Sequence, residues 1–261
     1  MDISAVLAPI IKSLWYLAPL AILAVVIKSS WFKGMVGEFL VNITAKLFLN
    51  KNEYHLVKNV TLPTSDGTTQ IDHIIVSKYG IFVVETKNMK GWIFGNEKQK
   101  SWTQKIFKSS HKFQNPLHQN YKHVKTLEEC LGMDDSHIFS LVVFVGDSTF
   151  KTQLPENVTK GGGYIRFIKS KTVTLLSEAE VSEVLEKIQS GRLMPSIRTT
   201  IQHVKHVKEI VREKENNRAC PKCGESMVLR ETKKGVNQGK QFFGCSSFPK
   251  CRGIVAIDSG V

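Results

Sequence analysis

Acidic side chains are scarce. Asp and Glu number 23 against 36 Lys and Arg, a net charge of +13 that points toward polyanions, either nucleic acid or an anionic membrane surface. The excess is uneven: residues 191–261 hold 14 Lys and Arg against 6 Asp and Glu, a net of +8 that leaves +5 for the first 190. Cysteine is scarcer still, five in 261 residues, an odd number with four inside the last 42. That clustering argues against a secreted disulfide framework and for metal ligation in a reducing compartment. Cys130 stands apart, after Glu128 and Glu129 in a helix-compatible stretch, and reads as a packing thiol. Apolar residues are plentiful at 42%, which excludes global disorder, and the length accommodates one core domain plus one or two small modules.

Charge is nearly absent from residues 3–27, where Lys12 is the one charged side chain. The run is long enough to cross a bilayer, for which about 20 apolar residues suffice. A basic segment before it and a small-x-small cleavage site after it are both missing, Asp2 being the only charge ahead of Lys12, so a cleaved signal peptide is disfavoured. Residues 1–33 are therefore expected to form an uncleaved transmembrane anchor, with a buried or interfacial helix as the alternative. Lys28 and Lys33 follow the run with Trp31 between them, so the positive-inside rule predicts a single-pass protein of the inner membrane with its body in the cytoplasm.

Two β-rich runs flank Lys78-Tyr79-Gly80, so residues 70–87 read as a hairpin whose strands carry Asp72, Glu85 and Lys87 among core residues. Asp72 and Glu85 are equidistant from the gap between Lys78 and Tyr79, which sets them opposite each other within about a residue of register. Alternation puts Lys87 on the face of Glu85. Two carboxylates so placed repel and resist desolvation, and a hard divalent cation, Mg²⁺ or Mn²⁺, removes both problems. The alternative is a buried ion-pair network without turnover. His73 and Tyr79 alternate away from the acids or sit in the turn and are assigned structural roles.

The rest of the chain reads as a mixed α/β domain spanning 34–190. Apolar residues at 39, 40, 43 and 47 mark one face of a helix over 37–49, with Glu38 at its start, either serving the helix dipole or acting as an accessory acid. Strands are expected at 54–62, 91–94, 138–145 and 164–168, with polar material between 95 and Trp102. Asn115-Pro116 opens a helix carrying Gln119 toward Leu131, and Ser177 with Glu180 forms a capping box for a helix over 178–189. Gly161-Gly162-Gly163 lacks a following Gly-Lys-Ser/Thr and reads as a connector rather than a phosphate loop. Residues 191–218 form a basic helical linker whose His203 and His206 have no third ligand nearby.

Residues 219–261 are the most specific stretch. Cys220-Pro-Lys-Cys223-Gly and Gly-Cys245-Ser-Ser-Phe-Pro-Lys-Cys251-Arg supply four thiolates in two knuckles, the donor set of a closed structural Zn²⁺ site, and so small a module depends on the metal to fold. Lys222, Arg230, Lys233, Lys234, Lys240, Lys250 and Arg252 interleave with Phe242, Phe243 and Phe248, a combination that tracks phosphates and stacks bases. The knuckles closely resemble the four-cysteine zinc fingers of bacterial type I topoisomerases, which implies binding to nucleic acid, single-stranded DNA above all. A zinc ribbon used for protein contact is the alternative.

Residues 34–145 resemble the nuclease-related domain, NERD. The resemblance is carried by Gly37-Glu38, by Ile71-Asp72-His73-Ile74-Ile75-Val76, by Gly80-Ile81-Phe82-Val83-Val84-Glu85-Thr86-Lys87-Asn88 with Gly91, by Trp102, and by Asn115-Pro116-Leu117-His118-Gln119. It implies a restriction-endonuclease-like mixed sheet flanked by helices. It also implies Asp72 and Glu85 as metal-binding carboxylates, Lys87 beside an attacking water, and Glu38 and Gln119 as accessory residues. Ile71 departs from the wider nuclease signature, which has proline there. The expected function is a membrane-anchored, metal-dependent nuclease that hydrolyses phosphodiester bonds in DNA held by the zinc finger; the alternative is a tethered nucleic-acid-binding adaptor whose nuclease fold does not turn over.

Overall fold

In the computed structural model, residues 18–65, 67–193, 220–232, 238–239 and 241–256 are described. In chain order they form α1 (Ala18–Lys28), α2 (Ser30–Phe48), β1 (His55–Thr64), β2 (Gly67–Ser77), β3 (Gly80–Asn88), β4 (Gly91–Phe94), β5 (Ser101–Ile106) and β6 (Ser109–Gln114). There follow α3 (Pro116–Leu131), β7 (Ile138–Val145), β8 (Ser148–Phe150), β9 (Val158–Lys160), α4 (Gly163–Ser170), α5 (Glu178–Gly191), β10 (Met227–Glu231), β11 (Gln241–Cys245) and β12 (Ile254–Ala256). They divide into two compact units, one built from residues up to Leu62 and from 70–192, the other from 63–69 and the residues after Arg192.

The β-branched run 71–84 forms the expected antiparallel hairpin, with register from Ser77↔Gly80 to His73↔Val84. Gly80 closes it at φ +124°, where an added Cβ would lie 2.7 Å from the Phe139 ring. Strands β7 and β9 extend the sheet in parallel, giving the order β1-β2-β3-β7-β9. Its two faces are both covered, which is why β2, β3 and β7 read as near-continuous apolar runs. On one face Ile81 and Val83 pack with Val124 and Leu127 of α3 and Val184 and Ile188 of α5; on the other, Phe82 and Val84 pack with Val41 and Ala45 of α2 and Ile165 and Ile168 of α4.

Several elements differ from expectation. The segment 164–168 is helix, not strand: Tyr164, Ile165 and Ile168 are buried at helical spacing, and the Tyr164 hydroxyl donates to the Val41 carbonyl at 2.7 Å. The sheet position is taken instead by β9. The polar stretch before and after Trp102 is a hairpin, β5–β6, whose alternation is diluted because only Trp102 and Phe113 face a core. Helix α2 begins seven residues before Gly37, capped by Ser29, whose Oγ accepts from the Phe32 N–H at 3.2 Å. Glu38 therefore lies in the third turn and not at the start, beyond reach of the helix dipole. The stripe buried against the sheet is Gly37, Val41 and Ala45, so the apolar residues 39, 40, 43 and 47 face outward.

Among the described residues no single helix is long and apolar enough to cross a membrane. The pair Pro19–Lys28 and Ser30–Phe48 meets the length and composition requirement together, bent by 63° at Ser29. Residues 1–17 of the expected anchor, the linker with His203 and His206, and Lys233, Lys234 and Lys240 lie outside the described residues.

The parallel β3–β7 ladder leads directly into a second, parallel β4–β8 ladder. Met89 N–H donates to Val145 O at 3.1 Å and Gly91 N–H to Asp147 O at 2.8 Å across the junction. Gly91 (φ +80°) and Gly146 (φ +85°) make the two turns. The second sheet has the order β6-β5-β4-β8 and packs Ile93 and Trp102 against Phe144.

Candidate active site and metal centre

The carboxylates and the lysine converge where β3 leaves the main hairpin. Glu85 is 2% exposed and both its oxygens are engaged: Lys87 Nζ donates to Oε1 at 2.7 Å, and His123 Nε2 lies 3.2 Å from Oε2. Lys87 also donates to Gln119 Oε1 at 2.9 Å. Burial alone would push the Glu85 carboxyl up, but the His123 hydrogen bond and the Lys87 charge hold it below the ordinary value. Asp72 sits one step past the end of the hairpin ladder, where its Oδ2 accepts the Thr86 N–H at 2.9 Å. Its carboxyl is raised well above the ordinary value, first by burial and then by the charge of Glu85.

Glu38 arrives from the helix layer on the opposite face. Gly37 permits the approach, since an added Cβ would lie 2.9 Å from Asn88 Cβ and 3.2 Å from Val145 Cγ2. Burial, and secondarily Glu85, raise the Glu38 carboxyl. The structure thus brings Asp72, Glu85, Lys87 and Gln119 together and sets Glu38 within electrostatic range of both acids. His73 is buried on the other side, where desolvation pushes its imidazole down to about 4.

Helix α3 positions Gln119, and its fixation is visible in the sequence around Asn115-Pro116. The Asn115 side chain caps the helix by accepting from Leu117 N–H at 3.0 Å, and its amide donates to the carbonyls of Asn96, Glu97 and Gln99. Asn120, fully buried, donates to Val83 O at 2.9 Å and Leu141 O at 3.2 Å, pinning α3 to the central strands. Sequence reasoning missed His123. The available signal is that it lies one helical turn beyond Gln119 and so shares its face. Two opposed carboxylates suit a hard divalent cation by donor chemistry. Among the described residues, however, only the cysteines bring three or more His, Cys, Asp or Glu ligand atoms within 4.8 Å of one another.

That cysteine cluster comprises Cys220, Cys223, Cys245 and Cys251. Sulfur pairs lie at 3.4 Å (Cys223–Cys245) and 3.7 Å (Cys220–Cys251), close to the roughly 3.8 Å edge of a tetrahedron with Zn–S bonds of about 2.3 Å. Each knuckle is closed by backbone: Gly224 N–H donates to Cys220 O at 2.9 Å with Gly224 at φ +78°, and Cys251 N–H donates to Ser247 O at 3.1 Å. The N–H groups of Lys222 and Cys223 pull the Cys220 thiol down to about 7, while the crowding thiols of Cys245 and Cys251 push Cys223 up to about 12, so without a cation the four sulfurs do not all favour the thiolate. The donor set and its spacing fit a structural zinc ion.

Around it, β10, β11 and β12 form an antiparallel ribbon whose register pairs Arg230 with Phe242 and Leu229 with Phe243. The alternation separates the aromatics. Phe243 is buried with Cys220, Met227 and Cys245, which corrects its assignment as a base-stacking residue. Phe248 is exposed with the Arg230 guanidinium 5.4 Å over its ring, Phe242 is half-buried, and Lys250 and Arg252 are exposed.

Fold and sites together define a two-part protein: an α/β unit with an acid–lysine cluster at its central hairpin, and a four-cysteine zinc ribbon. Residues 33–145 match the sequence model of the nuclease-related domain, and residues 217–260 match that of the topoisomerase DNA-binding C4 zinc finger. An uncharacterized protein of Bacillus anthracis is 53% identical over 98 residues, 37% of this chain and 45% of its own length. DNA topoisomerase 1 of Mycoplasma genitalium is 47% identical over 53 residues, 20% of this chain and 6% of its own. The chain thus spans less than half the length of either relative. No solved structure matches it.

Proposed function

We propose that the α/β unit is a metal-dependent nuclease with a restriction-endonuclease-like core, that it hydrolyses phosphodiester bonds in DNA, and that the zinc ribbon binds the substrate. The observation that carries this reading is the second carboxylate. Lys87 and His123 already balance Glu85, so a purely structural ion pair has no use for Asp72, whose charge is disfavoured by burial and by Glu85 itself. Acids held against their own electrostatics mark functional sites. Asp72 and Glu85 would hold Mg²⁺ or Mn²⁺, assisted by Glu38; when bound, the cation supplies phosphate neutralisation and acidification of water. Lys87 contributes a fixed positive charge for the oxygens that become more negative in the transition state. Gln119 orients the Lys87 ammonium, and His123 restrains the second oxygen of Glu85.

Arg230, Phe242, Phe248, Lys250 and Arg252 supply the ribbon with charge and stacking surface for DNA, to which Lys233, Lys234 and Lys240 add by sequence. The outward stripe Trp31, Met35, Phe39, Ile43 and Leu47 on α2, continuous with exposed apolar residues of α1, supports attachment to a membrane, and Lys28 and Lys33 after the apolar run are the basis for placing the body in the cytoplasm at the inner membrane. One observation favours the adaptor alternative: each Glu85 oxygen already has a hydrogen-bond partner, so a metal would have to share Glu85 with Lys87 and His123.

The test is cleavage of plasmid and single-stranded DNA by the purified full chain with Mg²⁺ or Mn²⁺. Glu85→Ala and Lys87→Ala are expected to abolish turnover while leaving DNA affinity within about twofold. Wild-type rates in both variants would place the site elsewhere, and steeply salt-dependent binding with no cleavage by the wild type would leave the adaptor.

A further inference from the structure

The second sheet has two unlike faces. One sends Ile93, Trp102 and Phe150 toward Phe144. The ladder registers fix what stands on the other: Trp92 is opposite Lys105 on one side and Thr149 on the other, and Thr103 is opposite Lys112. Lys151 lies over the Trp92 ring, 4.6 Å from its centroid. Trp92 is 48% exposed, and at the β5–β6 turn Phe107 is 95% exposed with φ +51°. Large aromatics left in water on a basic face call for an explanation.

The charge on this face is predominantly positive, with Asp147 as the acid that borders its larger groove. Residues 89–114 contain six lysines and a single acid, Glu97. Among the described residues, Lys90, Lys105, Lys112 and Lys151 take part in none of the ion pairs. An ordinary solvated face mixes the two signs more evenly. Two grooves extend along it, one of about 490 Å³ bordered by Lys90, Trp92, Lys105 and Phe107, the other of about 470 Å³ bordered by Phe94, Lys100, Thr103 and Lys112.

We infer that this face is a track for single-stranded nucleic acid, on which the lysines take phosphates and Trp92, with Phe107 beyond it, stacks bases. A single strand offers unstacked base faces to exposed rings, whereas a duplex hides them. The track deepens the nuclease reading, on which its purpose rests. Trp92 follows Lys87 by five residues across the ladder junction, at most about 17 Å of extended chain, so a strand lying there is within reach of the candidate active site.

The test uses the full chain without added divalent cation and a fluorescein-labelled oligothymidylate, with affinity measured by anisotropy between 50 and 200 mM salt. Each lysine–phosphate contact contributes about 0.7 to the log–log salt slope for a single strand. The Lys105→Gln/Lys112→Gln/Lys151→Gln variant is therefore expected to lose about 2 from the slope. Trp92→Ala is expected to lose about tenfold in affinity and Trp92→Phe to restore most of it. Unchanged zinc content and melting temperature in the variants exclude misfolding. Wild-type slope and affinity in both the lysine variant and Trp92→Ala overturn the track, as does equal competition by a duplex of the same length. Cleavage assayed in parallel separates the two readings. Intact metal-dependent cleavage with an unchanged slope sinks the track alone; a reduced slope in a chain that never cleaves sinks the nuclease reading and keeps the track.

Discussion

Asp72 is the residue at which a metal-binding site and a structural ion pair would differ. Its carboxyl is raised by burial and by Glu85, so the folded state holds its proton to higher pH than the unfolded chain does. The sign is that of a raised acid: stability falls as pH rises from the unfolded value toward the higher folded one, so a penalty is already present at neutral pH. Asp72→Asn keeps an oxygen for the Thr86 N–H while removing the like charge. The expected result at pH 7 is a gain on the order of 1 kcal/mol in urea unfolding, absent at about pH 3, together with loss of cleavage. A drop in stability at pH 7 would make Asp72 a structural partner. Glu85 behaves oppositely: its carboxyl is held low, so its contribution to stability is complete above the ordinary carboxylate value and is lost as pH falls toward the lower folded value. Asp72, Glu85 and Lys87 were legible in the sequence because a hairpin fixes register and alternation. His123 was not, because its role depends on where a helix 38 residues later docks.

At the scale of elements, the ribbon shows how pleat decides chemistry between adjacent residues. Phe242 and Phe243 are indistinguishable by composition, yet the strand turns Phe243 into the thiolate cluster and Phe242 toward Arg230. Phe243→Ala is expected to destabilise the ribbon by about 3–5 kcal/mol and lower zinc occupancy, read by metal analysis after dialysis. Phe248→Ala is expected to keep full zinc and to weaken binding to single-stranded DNA by about 1 kcal/mol or more. Equal zinc loss in both variants would contradict the assignment. Helix α2 carries the same lesson: its sequence shows an apolar face at 39, 40, 43 and 47, and only the small residues Gly37 and Ala45 reveal that the close packing is on the other side.

At the scale of the molecule, the outward apolar stripe of α2 and the exposed residues of α1 leave a large unpartnered hydrophobic surface flanked by Lys28, Lys33 and Lys46. The full chain is expected to float with anionic vesicles, and Phe39→Glu/Leu47→Glu to reduce the floated fraction severalfold. Flotation unaffected by these charges would leave the contact to residues before α2. The sequence by itself determined the zinc ligands, the hairpin with its acids and lysine, and the mixed α/β class, because these follow from local spacing, turn chemistry and period. Tertiary structure alone decided the bend at Ser29, the outward face of α2, the pairing of His123 with Glu85 and the basic second sheet. Each of these depends on which surface another element covers, and the local cues, Gly37 with Ala45 and His123 one turn beyond Gln119, do not by themselves fix it.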